Sequence, residues 1–325
     1  PVVLAETRAR PELPTLLFYM HYDGQPVVPA EWSQKDPFAP VVRRRNAAGG
    51  WDDVDAEVLQ AQPLDPELRV FARSASDDKA PIVMLLTALD MLAARAEAPA
   101  FNVKVLLDGE DLPEKTHEIV QGGVTLGKGG RVWSYPLMWV QALDALCGRL
   151  TKALRKLGIS PADIGAVSGS GQQHGTVFLN KTAAAALKAQ ASATSLREAL
   201  GDIFSRDRSP IWMDSSTATQ CAEIESAVGG RAALRTLTGN QAFARFSGPQ
   251  IRKVFQEERK VYDQTAEIAL VSSFMASVLA GQIAPIDPGD GAGTNLMDIR
   301  SRAWSSRALA ATADGLEDKL SPIAP

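Results

Sequence analysis

From Leu13 to Met20 the chain is a short apolar run that stops at His21, a pattern that predicts a buried strand delivering the histidine at its end. Pro26, Pro29, Pro37 and Pro40 then predict a long extended connection. From Pro81 to Ala96 the apolar positions fall at helical spacing, with Ile82, Leu85, Leu86, Leu89, Leu92 and Ala93 in step and Pro81 near the first turn. Phe101, Val103, Val105 and Leu107 alternate, which predicts a half-buried strand of edge type.

The character changes at Gly109-Glu110-Asp111-Leu112-Pro113. Beyond it, Leu137, Val140, Leu143, Leu146, Leu150, Leu154 and Leu157 predict a long amphipathic helix ended by Gly158. A strand over Ile164 to Ser168, a glycine-rich turn and a second strand over Thr176 to Leu179 are expected next. Thr182 to Leu200 reads as helices joined by a polar loop. Strands alternating with helices imply an α/β architecture.

Bulk properties narrow the function classes. The 325 residues are 45% hydrophobic and 22% charged, the balance of a soluble globular protein with room for one large or two ordinary domains. The 34 basic and 38 acidic residues are well mixed apart from Arg43-Arg44-Arg45, so the basic stripe of a nucleic-acid binder is not expected. Ile268 to Ala280, the longest apolar stretch, is too short to span a bilayer, and no signal peptide opens the chain; a cytoplasmic protein is expected. Cys147 and Cys221 lie in apolar helical patterns and read as buried, inert thiols. The opening Pro1 and the loop-like Ser321 to Pro325 suggest a fragment of something longer.

Two constellations carry chemistry. In the first, His21 and Asp23 at a strand end, with Asp77-Asp78-Lys79 at the start of the next helix, supply an imidazole and a carboxylate able to share a metal. Asp23 is spaced to take the imidazole's other N–H. With Trp32, Asp36-Pro37-Phe38 and this spacing, residues 14 to 110 resemble the di-zinc dipeptidases of the carnosinase and aminoacylase type. That resemblance implies His21 on one zinc and Asp77 bridging two. It then breaks, with Asp111 where the general base belongs and Leu112 where a metal-binding glutamate belongs. Two protein ligands fall short of the three or four of a stable zinc site, so His21 and Asp77 are expected to be relics.

In the second, Gly122 to Lys128 approaches a phosphate-binding loop, but Gly129 stands where a magnesium-binding Ser or Thr belongs, and a glycine-rich turn is the expectation. The turn Ser168 to Gly175 presents Gln173 and His174 at a sheet edge, which suits the hydroxyls of a polyol. It is accompanied by Val132 to Trp139, Ile211-Trp212-Met213-Asp214-Ser215-Ser216, Phe243-Ala244-Arg245-Phe246-Ser247-Gly248, Leu270 to Phe274 and Asp290 to Leu296. On these motifs, residues 111 to 325 resemble the amino-terminal domain of FGGY carbohydrate kinases, most closely the xylulose kinases. The resemblance implies an incomplete ribonuclease-H/actin-like domain whose His174 and Arg245 contact a ketose, with Gln173 adjoining. In the intact family ATP and magnesium are used, and the catalytic aspartate is expected beyond Pro325, leaving no catalytic residue within the chain. Asp214 is read as a helix cap or a sugar contact, Asp290 as a loop anchor or a wall of the site, and Trp133 as core.

The sequence reading is therefore a chimera joined near Gly109 to Glu114: a zinc-dipeptidase-like fragment over 1–110 and a truncated sugar-binding domain over 111–325. Function is expected to be that of a xylulokinase-like carbohydrate kinase, inactive alone. The alternatives are a di-zinc metallopeptidase, a non-enzymatic sugar-binding module or an assembly artefact. Oligomeric state is not legible.

Overall fold

Pro1–Leu112 and Pro113–Pro325 form two separate units in the computed structural model. It describes residues 2–7, 10–21, 27, 32–76, 79–108, 123–164, 166–167, 169 and 171–325.

In the first unit β1 (Val2–Glu6) and β2 (Thr15–His21) are followed by β3 (Val41–Arg45), β4 (Trp51–Val54), β5 (Leu68–Phe71), α1 (Lys79–Ala94) and β6 (Asn102–Asp108). The strand ending in His21 and the helix at Pro81 form where the apolar spacing predicts, but the strand is not the buried one expected, since Leu16 and Leu17 are exposed. β6 corrects the edge-strand expectation, since it is central, antiparallel to β1 and parallel to β2. A parallel pair needs a long crossover, and the segment holding α1 provides it. The proline-rich connection also conceals a second antiparallel sheet in the order β4-β3-β5. Its Arg43 is buried, pairs with Asp53 at 2.7 Å and lies 4.8 Å from the Phe71 ring centre, so that run of three arginines is strand, not a basic patch. No side chain of α1 is fully buried.

The second unit opens with β7 (Thr125–Leu126), β8 (Val132–Ser134), α2 (Pro136–Lys156), β9 (Thr176–Asn180), α3 (Ala183–Ala189), α4 (Leu196–Leu200) and β10 (Ser209–Pro210). Then come α5 (Ala218–Ala227), α6 (Arg231–Thr238), α7 (Ser247–Glu257), α8 (Arg259–Gln264), β11 (Thr265–Leu270), α9 (Val271–Ala280), α10 (Pro288–Ala292), β12 (Met297–Asp298), β13 (Ala303–Trp304) and α11 (Ser306–Thr312). β9 and β11 pair antiparallel at the centre. Because successive strand residues point to opposite faces, Val177 and Leu179 pack with Val140 of α2, Leu187, Leu200 and Phe274 on one side. Phe178 and Ile268 pack with Ile251 and Val254 of α7, Tyr262, Leu296 and Leu309 on the other. The result is a two-stranded sheet between two helical layers, and the mixed α/β expectation holds.

Three expectations are corrected here. Ile164 to Ser168 is not a strand among its described residues: Ile164 and Val167 are 40% and 66% exposed, and β9 pairs instead with β11 and, through one isolated bridge, with Phe204. An apolar segment without a partner strand has no ladder to satisfy its backbone groups. Cys147 is exposed, because the far half of α2, with Leu146 and Leu150, is not covered by the described residues. Cys221 is half-buried, and burial pushes its thiol above the usual value. No described helix is long and apolar enough to cross a membrane.

Candidate functional site

The loop before β9 brings Gly171 against the β11–α9 junction, where a Cβ on residue 171 would stand 2.7 Å from the Ser272 nitrogen. Only glycine allows that approach. Three residues on, His174 adopts a left-handed backbone (φ 63°), which turns its ring inward. The ring stacks on Phe246 with centroids 4.6 Å apart, and its Nδ1 lies 3.1 Å from the Gly293 carbonyl oxygen. A carbonyl only accepts, so Nδ1 carries the proton and, in the neutral ring, Nε2 is left as an acceptor.

Burial holds the His174 imidazole below its usual pKa; the Arg245 charge pushes the same way, while the bond to Gly293 and the charge of Asp290 push it back. Arg245 is exposed, with its guanidinium 5.8 Å from the Phe243 ring centre. Phe243 in turn packs on Phe246 at 5.2 Å. The Ser272 hydroxyl donates to the Asp290 carboxylate. Asp290 thus ties α10 to α9 and also adds charge beside His174. Segments 171–175, 243–248, 270–274 and 288–293 meet at one place: a neutral acceptor, a guanidinium with no ion pair among the described residues, and a carboxylate around an aromatic floor. Gln173 stands exposed on the same loop. That set can accept from, and donate to, the hydroxyls of a small polyol.

Asp214 is neither a cap nor an open contact. It is 5% exposed, and its Oδ2 accepts from the Val132 N–H at 2.8 Å. Its Oδ1 accepts from the Ser216 N–H at 2.9 Å, the Ser216 hydroxyl at 2.6 Å and Gln250 Nε2 at 2.8 Å. The helix expected to start there begins at Ala218 with Thr217 as its N-cap. Trp133 is half-buried rather than core, and its buried indole nitrogen has no partner among the described residues. Phe246 belongs to the Phe243 to Gly248 motif, but an aromatic beside Arg245 reads equally well as core, so its place under His174 emerges only in the fold.

The metal expectation fares differently. His21 ends β2 in register with Asp108 of β6, whereas Asp23, Asp77 and His117 lie outside the described residues. Among the described residues no group of three His, Cys, Asp or Glu is placed to hold a metal, so no zinc set is assembled there.

Residues 208–325 match the profile of the FGGY family of carbohydrate kinases, N-terminal domain. Xylulose kinase 2 of Arabidopsis thaliana is 51% identical over 216 residues, 66% of this chain and 38% of that protein. Xylulose kinase of Mus musculus is 42% identical over 235 residues, 72% of this chain and 41% of that protein. The latter match is longer than Pro113–Pro325, so similarity to the mouse enzyme reaches into the first unit. The crystal structure of xylulose kinase from Rhodospirillum rubrum aligns with a TM-score of 0.48 and 15% identity, over 62% of this chain and 36% of that one. The chain spans 38% and 41% of the length of the two curated relatives. These similarities lend no support to a peptidase segment or to a chimera. What the chain is similar to, over residues 208–325 and the reach of the curated matches, is the N-terminal domain of FGGY carbohydrate kinases and, within them, xylulose kinases.

Proposed function

We propose that this chain supplies the ketose-binding half of a xylulokinase-like carbohydrate kinase. The observation that carries the reading is the convergence of His174, Phe246, Arg245 and Asp290 at one place from four separate segments. His174 Nε2 accepts from a sugar hydroxyl, Arg245 donates to another, and Gln173 lines the open side. The similarity to xylulose kinases at 51% and 42% identity supports a ketopentose as the sugar. ATP and magnesium are what carbohydrate kinases use in phosphoryl transfer, which needs phosphates, metal and an oriented hydroxyl together. To these we assign no side chain of this chain; its part is to hold and orient the hydroxyl. The domain division follows the same reading, with the sugar-binding domain over 111–325.

Titration calorimetry with xylulose is the test. Saturable heat with the parent and none with a His174→Ala, Arg245→Ala double variant of unchanged melting temperature is expected. Equal heats for the two proteins would remove the proposal.

A further inference from the structure

A second cavity in the same unit, of about 780 Å³, is lined by none of His174, Arg245, Phe246 or Asp290. Its walls are the β7–β8 loop, the segment from Arg206 to Ser216 and one side of α7. Five cations face it. Arg131 is taken by Glu257 at 2.7 Å, and Arg206 is held in a two-point pair with Glu258 at 2.8 and 3.0 Å. The third acid, Asp214, already accepts four hydrogen bonds. The remaining three cations are not neutralised in this way. Lys128 has no acidic partner among the described residues. Lys253 donates to the Ser216 hydroxyl at 2.7 Å and its carbonyl at 3.2 Å, neutral groups, and forms no ion pair with a described carboxylate. Arg208 meets only the exposed Asp207 at 3.4 Å, a pair of little worth, and lies 5.5 Å from the Trp133 ring centre. The Trp133 side chain is on the same wall. Lys253 has its pKa lowered by burial first and then by the charge of Arg131, while the charges of Glu257 and Asp214 push it back.

We propose that this cavity is a binding site for the phosphate monoester of a small polar organic molecule. Three cations that no carboxylate holds closely suit a dianion with three acceptor oxygens, whereas a single carboxylate would leave donors unused. The volume lies in the range of ligand sites, roughly 300–1,000 Å³, and exceeds what a bare phosphate fills. Ser216, Gln250 and Val254 line the remainder of the cavity, where the organic part would lie.

The probes are glycerol 3-phosphate, glycerol and inorganic phosphate, titrated calorimetrically into the whole chain and followed by phosphorus NMR line broadening. Glycerol 3-phosphate should bind saturably, glycerol should give no heat, and inorganic phosphate should bind at least about tenfold more weakly. Losing one charged contact costs about ten- to a hundredfold in affinity, so Lys128→Met and Lys253→Met should each weaken binding by that much. Lys128→Met removes an exposed, unpaired side chain and leaves the fold intact, so its result stands even if Lys253→Met unfolds the unit. Binding should persist in His174→Ala, which separates this site from the ketose site. Absence of saturable binding, insensitivity to Lys128→Met, loss in His174→Ala, or equal affinity for inorganic phosphate would each overturn the proposal.

Discussion

Replacing Asp214 by asparagine separates a structural carboxylate from a sugar ligand. The side chain is 5% exposed and accepts four hydrogen bonds, which join β8, the turn before α5 and α7. Asparagine keeps the shape but has one oxygen. If that oxygen replaces Oδ1, an NH2 group faces the Val132 N–H, and the orphaned buried donor costs about 1–3 kcal/mol. The three bonds that survive lose their charge assistance, which costs up to about 1 kcal/mol each. Against this stand the relief of a buried charge and the entry of water from the adjoining cavity, so the net is about 2–4 kcal/mol. For a unit of this size each kcal/mol lowers the melting temperature by roughly 2–4 °C, giving a drop of roughly 4–16 °C. Near-UV circular dichroism of parent and Asp214→Asn, scanned identically, reads it. A melting temperature unchanged within about 1 °C, combined with loss of xylulose binding, would refute the reasoning and make Asp214 a ligand.

His174 is neutral in the folded chain to a lower pH than in the unfolded one, where it titrates near 6.5. Between the two values the unfolded chain binds more protons, so stability should fall as pH is lowered through 6.5, and His174→Gln should flatten that part of the melting-temperature profile. A slope unaltered by the variant contradicts the assignment. In Gly293→Ala the new Cβ would stand 2.9 Å from His174 Cε1 and 3.0 Å from Nδ1, so the ring must shift. The expected outcome is a stability loss of about 1–3 kcal/mol together with weakened xylulose binding in calorimetry. Protein dialysed against chelator and returned to buffer should hold well under one zinc per chain by atomic absorption; retention of two zinc ions would restore the peptidase reading of His21 and Asp77.

Much of this was legible in the apolar spacing. The run before His21, the Ile82 to Ala93 period and the Leu137 to Leu157 stripe each became the expected strand or helix because local periodicity sets the element type, although Leu16, Leu17, Leu86, Leu146 and Leu150 stay exposed. Ile164 to Ser168 failed because an apolar run states only that a segment wants a partner, and β9 found β11 instead. The sheet of β3, β4 and β5 was hidden among prolines and arginines, since its pairing depends on contacts distant in sequence, such as Arg43 with Asp53 and Phe71. The candidate site was legible as motifs but not as geometry. His174 and Arg245 came from the resemblance, whereas the Phe246 floor and the Gly293 carbonyl that fixes the tautomer appear only once the chain is folded. Of the cavity's cations Lys128 stood in the near match to a phosphate-binding loop, which Gly129 spoils, whereas Arg208 and Lys253 come from segments that read as ordinary solvated surface and meet it only in the fold.

The central claim is that a ketose docks on the His174 ring, and the imidazole resonances test it most directly. The sequence has three histidines, so carbon-13 labelling of histidine gives three ring signals, and the one lost in His174→Gln identifies the site. On titration with xylulose that signal alone should move, saturating at the concentration that calorimetry gives, and in free protein it should titrate below the usual histidine value. A His174 signal unmoved at xylulose concentrations that produce saturable heat would contradict the account, because the sugar would then be bound elsewhere.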